Sequence, residues 1–261
     1  MSLRSVATGA LVVGVAVLAM PRHDDAVGAT RPNWIGEVSA AYAQQTGATM
    51  KLPSAFSGAN LLVAVVANDG PDSNAAETHA VFGGSSRLTW TRNAHISARQ
   101  DWATAGAALD IAGASSTEVW TASPPRGWTP GTVSEISNWP ELRSATRDDG
   151  GAITIAAFAT GKLGQVMTVD GLNSRPENQS FDTIGARSAI LAAVFNGRVN
   201  ATFAPLSGLS SLVARRAGDD TAQILASTIK ALLPGIYKVG YTSAPAPGDY
   251  WEMAIVQVIP G

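Results

Sequence analysis

The stretch NLLVAVVANDG, Asn60 to Gly70, decides the class of fold. A short apolar run, rich in β-branched Val, ends in Asn-Asp-Gly, residues that accept left-handed backbone or cap turns with their side chains. A strand with one wet face alternates apolar and polar residues. A strand apolar almost throughout is covered on both faces and belongs in the middle of a sheet. ITIAAF (Ile153 to Phe158) reads the same way. TEVWTA (Thr117 to Ala122) alternates instead, with Val119 pointing opposite to Trp120.

Outward from these segments, the chain from Asn33 onward sets short β-prone runs between turn clusters. Strands are expected at Asn60 to Ala67, Arg87 to Arg92, Thr117 to Ala122, Thr132 to Ser137 and Ala152 to Ala159. Four more are expected at Ser188 to Phe195, Ser211 to Arg215, Gly235 to Tyr241 and Tyr250 to Ile259. Helical periodicity is scarce, and only Val38 to Gln45 and Thr221 to Leu233 could carry a short helix, with strands or loop crossings as the equal alternatives in a sandwich. The expected fold is an all-β antiparallel sandwich, jelly-roll or immunoglobulin-like, with at most one or two short helices. The spans are an apolar arm over 1–32 and a single sandwich domain over 33–261. Asn60 to Ala64 and Ala189 to Ala193 echo one another ahead of Asn-Gly-rich turns. Buried strands draw on few residue types, which is the simplest source of such a likeness.

The arm runs apolar from Ala10 to Leu18 after one early Arg. It reads as a strand or packed arm, with a leader ending near Ala29 as the alternative, and it is short for a stable membrane span. Charged residues are only 15% of the chain and the formal net charge is −2, which removes the electrostatic basis for holding nucleic acid. The absence of Cys removes disulfides, thiolate metal sites and thiol nucleophiles.

Catalytic sets are thin. His23, His79 and His95 form no HExxH pair, and Gly83-Gly84-Ser85-Ser86 and Gly208-Leu209-Ser210-Ser211 miss the GxSxG elbow. Asp69 with Asp72, Asp148 with Asp149, and Asp219 with Asp220 read as solvated turn acids, with a loop calcium site as the other reading. The chain is therefore expected not to be an enzyme and to need no cofactor or metal. Trp90, Trp120 and Trp251 sit in strand patterns as packing residues. Trp34, Trp102, Trp128 and Trp139 fall in loop-like sequence, where an indole can stack on a sugar, anchor a partner or close a loop over the core.

The ordered set NLLVAVVANDG, LTWTR (Leu88 to Arg92), STEVWTA (Ser116 to Ala122), ITIAAF, AILAAVF (Ala189 to Phe195) and WEMAIVQV (Trp251 to Val258) resembles a β-sandwich module. That module occurs in minor tail proteins of actinobacteriophages and in secreted actinobacterial proteins. The resemblance covers most of the chain from Asn33 and carries no active-site residue. The Ala- and Gly-rich stretch Arg99 to Ser115 and the apolar arm depart from it. It implies a structural or adhesive virion component, a minor tail or decoration protein. Such a protein binds other virion proteins or copies of itself, and a host-surface glycan is a further candidate partner. The alternative is a secreted actinobacterial carbohydrate- or surface-binding module.

Overall fold

A computed structural model of the chain describes residues 31–43, 47–69, 79–85, 88–96, 115–137, 150–172, 179–183, 187–197, 204–217, 220–242 and 250–261. The apolar arm through residue 30 lies outside the described residues, as does the Arg99 to Ser115 stretch up to its last residue. What is described is nearly all strand, every pair antiparallel, in sheets packed as a sandwich.

Eight strands come first: β1 (Trp34–Ala43), β2 (Gly47–Lys51), β3 (Leu61–Asp69), β4 (His79–Gly83), β5 (Trp90–Ile96), β6 (Ser115–Ala122), β7 (Thr132–Ser137) and β8 (Gly150–Phe158). A single 3-10 turn, Ser54–Gly58, sits between β2 and β3. The second half holds β9 (Lys162–Leu172), β10 (Gln179–Thr183), β11 (Ala189–Gly197), β12 (Ala204–Pro205), β13 (Leu209–Ala217), β14 (Asp220–Ser227), β15 (Gly235–Val239), β16 (Tyr241–Thr242) and β17 (Tyr250–Ile259). The two segments with helical composition are strand: Val38 to Ala43 belongs to β1 and Thr221 to Ser227 to β14. Each meets a sheet through alternate residues, and burial there outweighs the local helix preference of Ala and Gln.

Within the span read as one sandwich, the same topology occurs twice. The first half forms a large sheet in the order β1-β8-β3-β6-β5 and a small one in the order β2-β7-β4. The second forms β9-β17-β11-β14-β13 with the pairs β10-β15 and β12-β16. First and last strands are neighbours and successive strands alternate between sheets, which is jelly-roll wrapping. In both halves the fifth strand departs from it by folding onto the sixth at the edge of the large sheet. β15 and β16 together stand where β7 stands, divided at Gly240, whose φ of 139° suits glycine.

The correspondence extends to single residues. Leu61 pairs with Phe158 as Ala189 pairs with Val258, and Asn68 pairs with Ser116 as Asn196 pairs with Thr221. Both halves carry a bulge at the same point of the edge strand, between Arg92 and Ala94 in β5 and between Ser211 and Val213 in β13. The echo in the sequence thus falls on equivalent strands, one residue out of register, since Leu61 rather than Asn60 corresponds to Ala189.

The large sheets pack face to face with their orders reversed. β1 lies on β13 and β9 on β5, β8 on β14 and β17 on β6, while β3 meets β11. Exchanging the halves leaves this pattern unchanged, so a local two-fold passes between β3 and β11, as in an isologous dimer made within one chain. Three cores result. Leu61, Val63, Val65 and Ala67 face Leu191, Ala193 and Phe195 in the central core. Leu62, Ala64 and Val66 turn the other way, onto Met50, Leu52, Phe56 and Trp128. Ile190, Ala192 and Val194 do the same beneath Phe181 and Trp251. A strand between two cores must be apolar at every position, which is why β3 and β11 read as they do.

Candidate functional site

On β6 the side chains sharing Trp120's face point into the first jelly roll, and Glu118 is among them, with no exposed surface. Across from it, β5 places Arg92 opposite Trp120 and His95 opposite Glu118. Residues three apart in a regular strand face opposite ways. The bulge at Asn93 absorbs the extra residue and turns Arg92 and His95 to the same side. Asn93 holds the bulge, its side-chain amide donating to the Thr91 carbonyl at 3.0 Å and to Thr121 Oγ1 at 2.7 Å.

The result is a buried carboxylate with both oxygens engaged. His95 Nδ1 lies 2.7 Å from Oε1, and the Trp120 indole N–H donates to Oε2 at 2.5 Å. The Arg92 guanidinium reaches Oε1 at 3.5 Å and lies over the Trp120 ring, 5.7 Å from its centroid. With its proton on Nδ1, the imidazole donates to Glu118, and the cluster ties the edge strand to the sheet. On the same face, the Tyr42 hydroxyl donates to Asn68 Oδ1 at 3.2 Å, and Asn68 is the cross-strand partner of Ser116. The hydroxyls of Ser115, Ser116 and Thr117 are buried and find no hydrogen-bond partner among the described residues. A carboxylate orienting a histidine is one piece of an acid–base device. With both oxygens of Glu118 engaged by three donors, the arrangement acts as a clamp.

The tryptophans of loop-like sequence have separate fates. Trp34 opens β1 at the junction of the halves. Its indole donates to Glu37 Oε2 at 2.7 Å, and its ring meets Phe158 edge-on at 5.0 Å. The ammonium of Lys230 covers it, 3.7 Å from the ring centroid. Burial lowers the pKa of Lys230, and Glu37 opposes that shift. Beside this stack, Arg31 to Trp34 and Ile229 to Ala231 line a cleft of about 320 Å³. Trp128 is 7% exposed and part of the outer core of the first half, closing a loop over it. Trp102 and Trp139 lie outside the described residues.

Of the paired acids, the backbones of Asp69 and Asp220 lie in β3 and β14, and Asp72, Asp148, Asp149 and Asp219 lie outside the described residues. Among the described residues there is no group of three His, Asp or Glu placed to hold a metal, and no helix long and apolar enough to cross a membrane. Glu118 is absent from the candidates that sequence motifs suggest. The usable signal is parity, because it lies two residues from an inward Trp on an alternating strand and so shares that side chain's face. Comparisons with protein-family models, with curated proteins and with solved structures find no match to this chain.

Proposed function

We propose that this chain is a non-enzymatic structural and adhesive protein, a virion component of the minor-tail or decoration class that works through contacts with neighbouring virion proteins or further copies of itself. The observation that carries the reading is the filling of the jelly rolls. Met50, Leu52, Phe56 and Trp128 occupy the interior of one, and Phe181, Trp251 and Met253 that of the other. Interiors filled by such buried side chains make a stiff framework. Function is then left to the loops and edges. The phage assignment rests on the resemblance of the strand motifs to actinobacteriophage minor tail proteins. Mass spectrometry of purified virions tests it: the intact polypeptide is expected in the particle, and its absence would overturn the assignment.

A secreted actinobacterial carbohydrate- or surface-binding module is the second reading, favoured by the cation-lined cleft beside Trp34. A mature N-terminus near Thr30 in culture supernatant would support secretion over the virion.

A further inference from the structure

The cleft between Arg31–Trp34 and Ile229–Ala231 is built from both halves of the molecule, one wall leading into β1 and the other belonging to the turn between β14 and β15. Its volume, about 320 Å³, is at the lower end of the range for small-molecule sites and suits one sugar ring with its substituents. Two cations converge on it, Arg31 and Lys230.

Lys230 is the more telling of the two. It is half-buried, and the Trp34 ring fixes its ammonium in place. Among the described residues no hydrogen-bond acceptor is placed on its ammonium, whose neighbour is the Trp34 ring. A partly desolvated cation held against a π face gains more from an incoming anion than a solvated one does. Glu37 offsets part of the charge but already accepts the Trp34 indole N–H. Ile229, 59% exposed, adds an apolar wall, and Asn33 an amide.

We propose that this cleft binds an acidic saccharide, with the carboxylate of a uronic-acid-type ring taken by Lys230 and Arg31, the C–H face of the ring resting on Ile229, and hydroxyls reaching Asn33. A flat aromatic acid fits less well, because Lys230 already occupies a face of Trp34. A sugar offers the combination the walls ask for: one anionic group, a small apolar face and several hydroxyls. The proposal deepens the adhesive reading by naming the surface chemistry the protein would meet.

The test titrates the full chain with a tetrasaccharide of alternating glucuronate and N-acetylglucosamine, followed by calorimetry and tryptophan fluorescence. Its carboxyl-reduced neutral analogue and a tetraglutamate peptide are titrated in parallel. The acidic tetrasaccharide should bind at least about 10-fold more tightly than either, and weaken on going from about 0.1 to about 0.5 M salt. Lys230→Met should lose about 10-fold in affinity, Lys230→Arg should retain most of it, and Arg31→Gln, at an exposed position, gives a second reading should Lys230→Met not fold. Three results would overturn the proposal: no saturable binding, equal affinity for the neutral analogue, or binding unchanged in both Lys230→Met and Arg31→Gln. Tighter binding of the peptide would replace the saccharide with an acidic protein segment. The assay uses isolated protein, so its failure leaves the virion result untouched, and absence from virions leaves the binding result intact.

Discussion

The two jelly rolls share strand order, cross-strand register and the edge-strand bulge, yet they fill equivalent positions with different chemistry. Where the first half has Glu118, His95, Arg92 and Trp120, the second has Gln223, Ala214, Ser211 and Leu225. In the turn ahead of the next strand, Trp128 and Leu232 each stand two residues before a Pro-Gly pair and are equally buried. On the face toward each outer core, Tyr42 pairs with Gly151 in the first half, whereas Gly171 pairs with Trp251 in the second. The aromatic ring and the glycine have changed strands. The backbone plan therefore does not require charge at these positions, since neutral residues fill them in the second half, whose own buried edge-strand charge, Arg215, stands on the opposite face of β13. The Glu118 cluster is a property of the first half alone.

The largest effect should come from what the halves share. Phe195, fully buried in the central core, occupies the place that Ala67 holds in the first half. Phe195→Ala removes a ring from the layer that joins the two sheets and should cost about 3–5 kcal/mol. Because both halves use that layer, urea unfolding should stay a single transition shifted to lower midpoint. Two separated transitions would show that the halves fold independently and would break the picture of one shared core.

Next comes what they do not share. Glu118→Ala strands His95 and Arg92 beside an apolar hole and should cost about 2–3 kcal/mol, less than for a fully enclosed pair because both partners reach solvent. Glu118→Gln installs the residue the second half uses but keeps only one acceptor oxygen, its NH2 standing where the other oxygen took a donor, so its loss should be about 1–2 kcal/mol. Urea midpoints compare the two. An equal loss in both would mean that the charge itself holds β5 in place.

The same contrast explains which features are legible in the amino-acid sequence. NLLVAVVA and AILAAVF announce central strands because two-sided burial admits only apolar residues; β17, largely apolar, is legible to the residue for a similar reason, and β7 because TVSEIS alternates. β1 and β9 are less legible: Val38 to Ala43 has helix-like composition, and β9 gives no clear strand pattern. Each is an edge strand with one face partly wet, so residues such as Gln165, Thr168 and Asp170 dilute the apolar signal. The repeat was nearly invisible, since swapped pairs such as Tyr42/Gly151 and Gly171/Trp251 preserve volume across two strands while erasing identity along each. The Glu118 cluster was half legible: parity marks the burial of Glu118, but nothing in the sequence around Asn93 announces the bulge that brings His95 round to meet it. The Trp34–Lys230 stack, joining residues far apart in the chain, could not be read at all.

That swap can be tested directly. A Cβ on Gly151 would lie 2.6 Å from the Ala67 carbonyl oxygen and 2.7 Å from the Tyr42 hydroxyl, so Gly151→Trp alone overpacks the site and should cost about 3 kcal/mol. Adding Tyr42→Gly rebuilds the arrangement of the second half and should recover about 1 kcal/mol of that loss. The recovery is partial because the Ala67 carbonyl stays where it is and the Tyr42 to Asn68 hydrogen bond is gone. Thermal unfolding of both single variants and the double variant gives the coupling. Strict additivity would mean that the likeness of the two pairs is only formal.

The smallest effect lies at the turn cations. Lys230 and Arg126 stand at corresponding places ahead of the two Pro-Gly pairs, but Arg126 is exposed while Lys230 is half-buried against Trp34. Burial lowers the Lys230 pKa below 10.5 in the folded chain. At neutral pH both folded and unfolded chains carry that proton, and the folded state bears the whole cost of the partly desolvated charge. As pH rises from the folded value toward 10.5, the unfolded chain binds more protons, and the cost fades. Tyr237, whose pKa burial raises above 10.0, runs the other way, its contribution being present below 10.0 and lost as pH climbs through the folded value. Lys230→Met keeps an apolar side chain on the Trp34 ring and drops the charge. It should raise Tm by no more than about 2 °C at neutral pH, and the gain should vanish near the alkaline end, most cleanly in a Tyr237→Phe background. Arg126→Met should leave Tm unchanged throughout. A Lys230→Met gain that persisted at alkaline pH would trace to packing rather than to the buried charge.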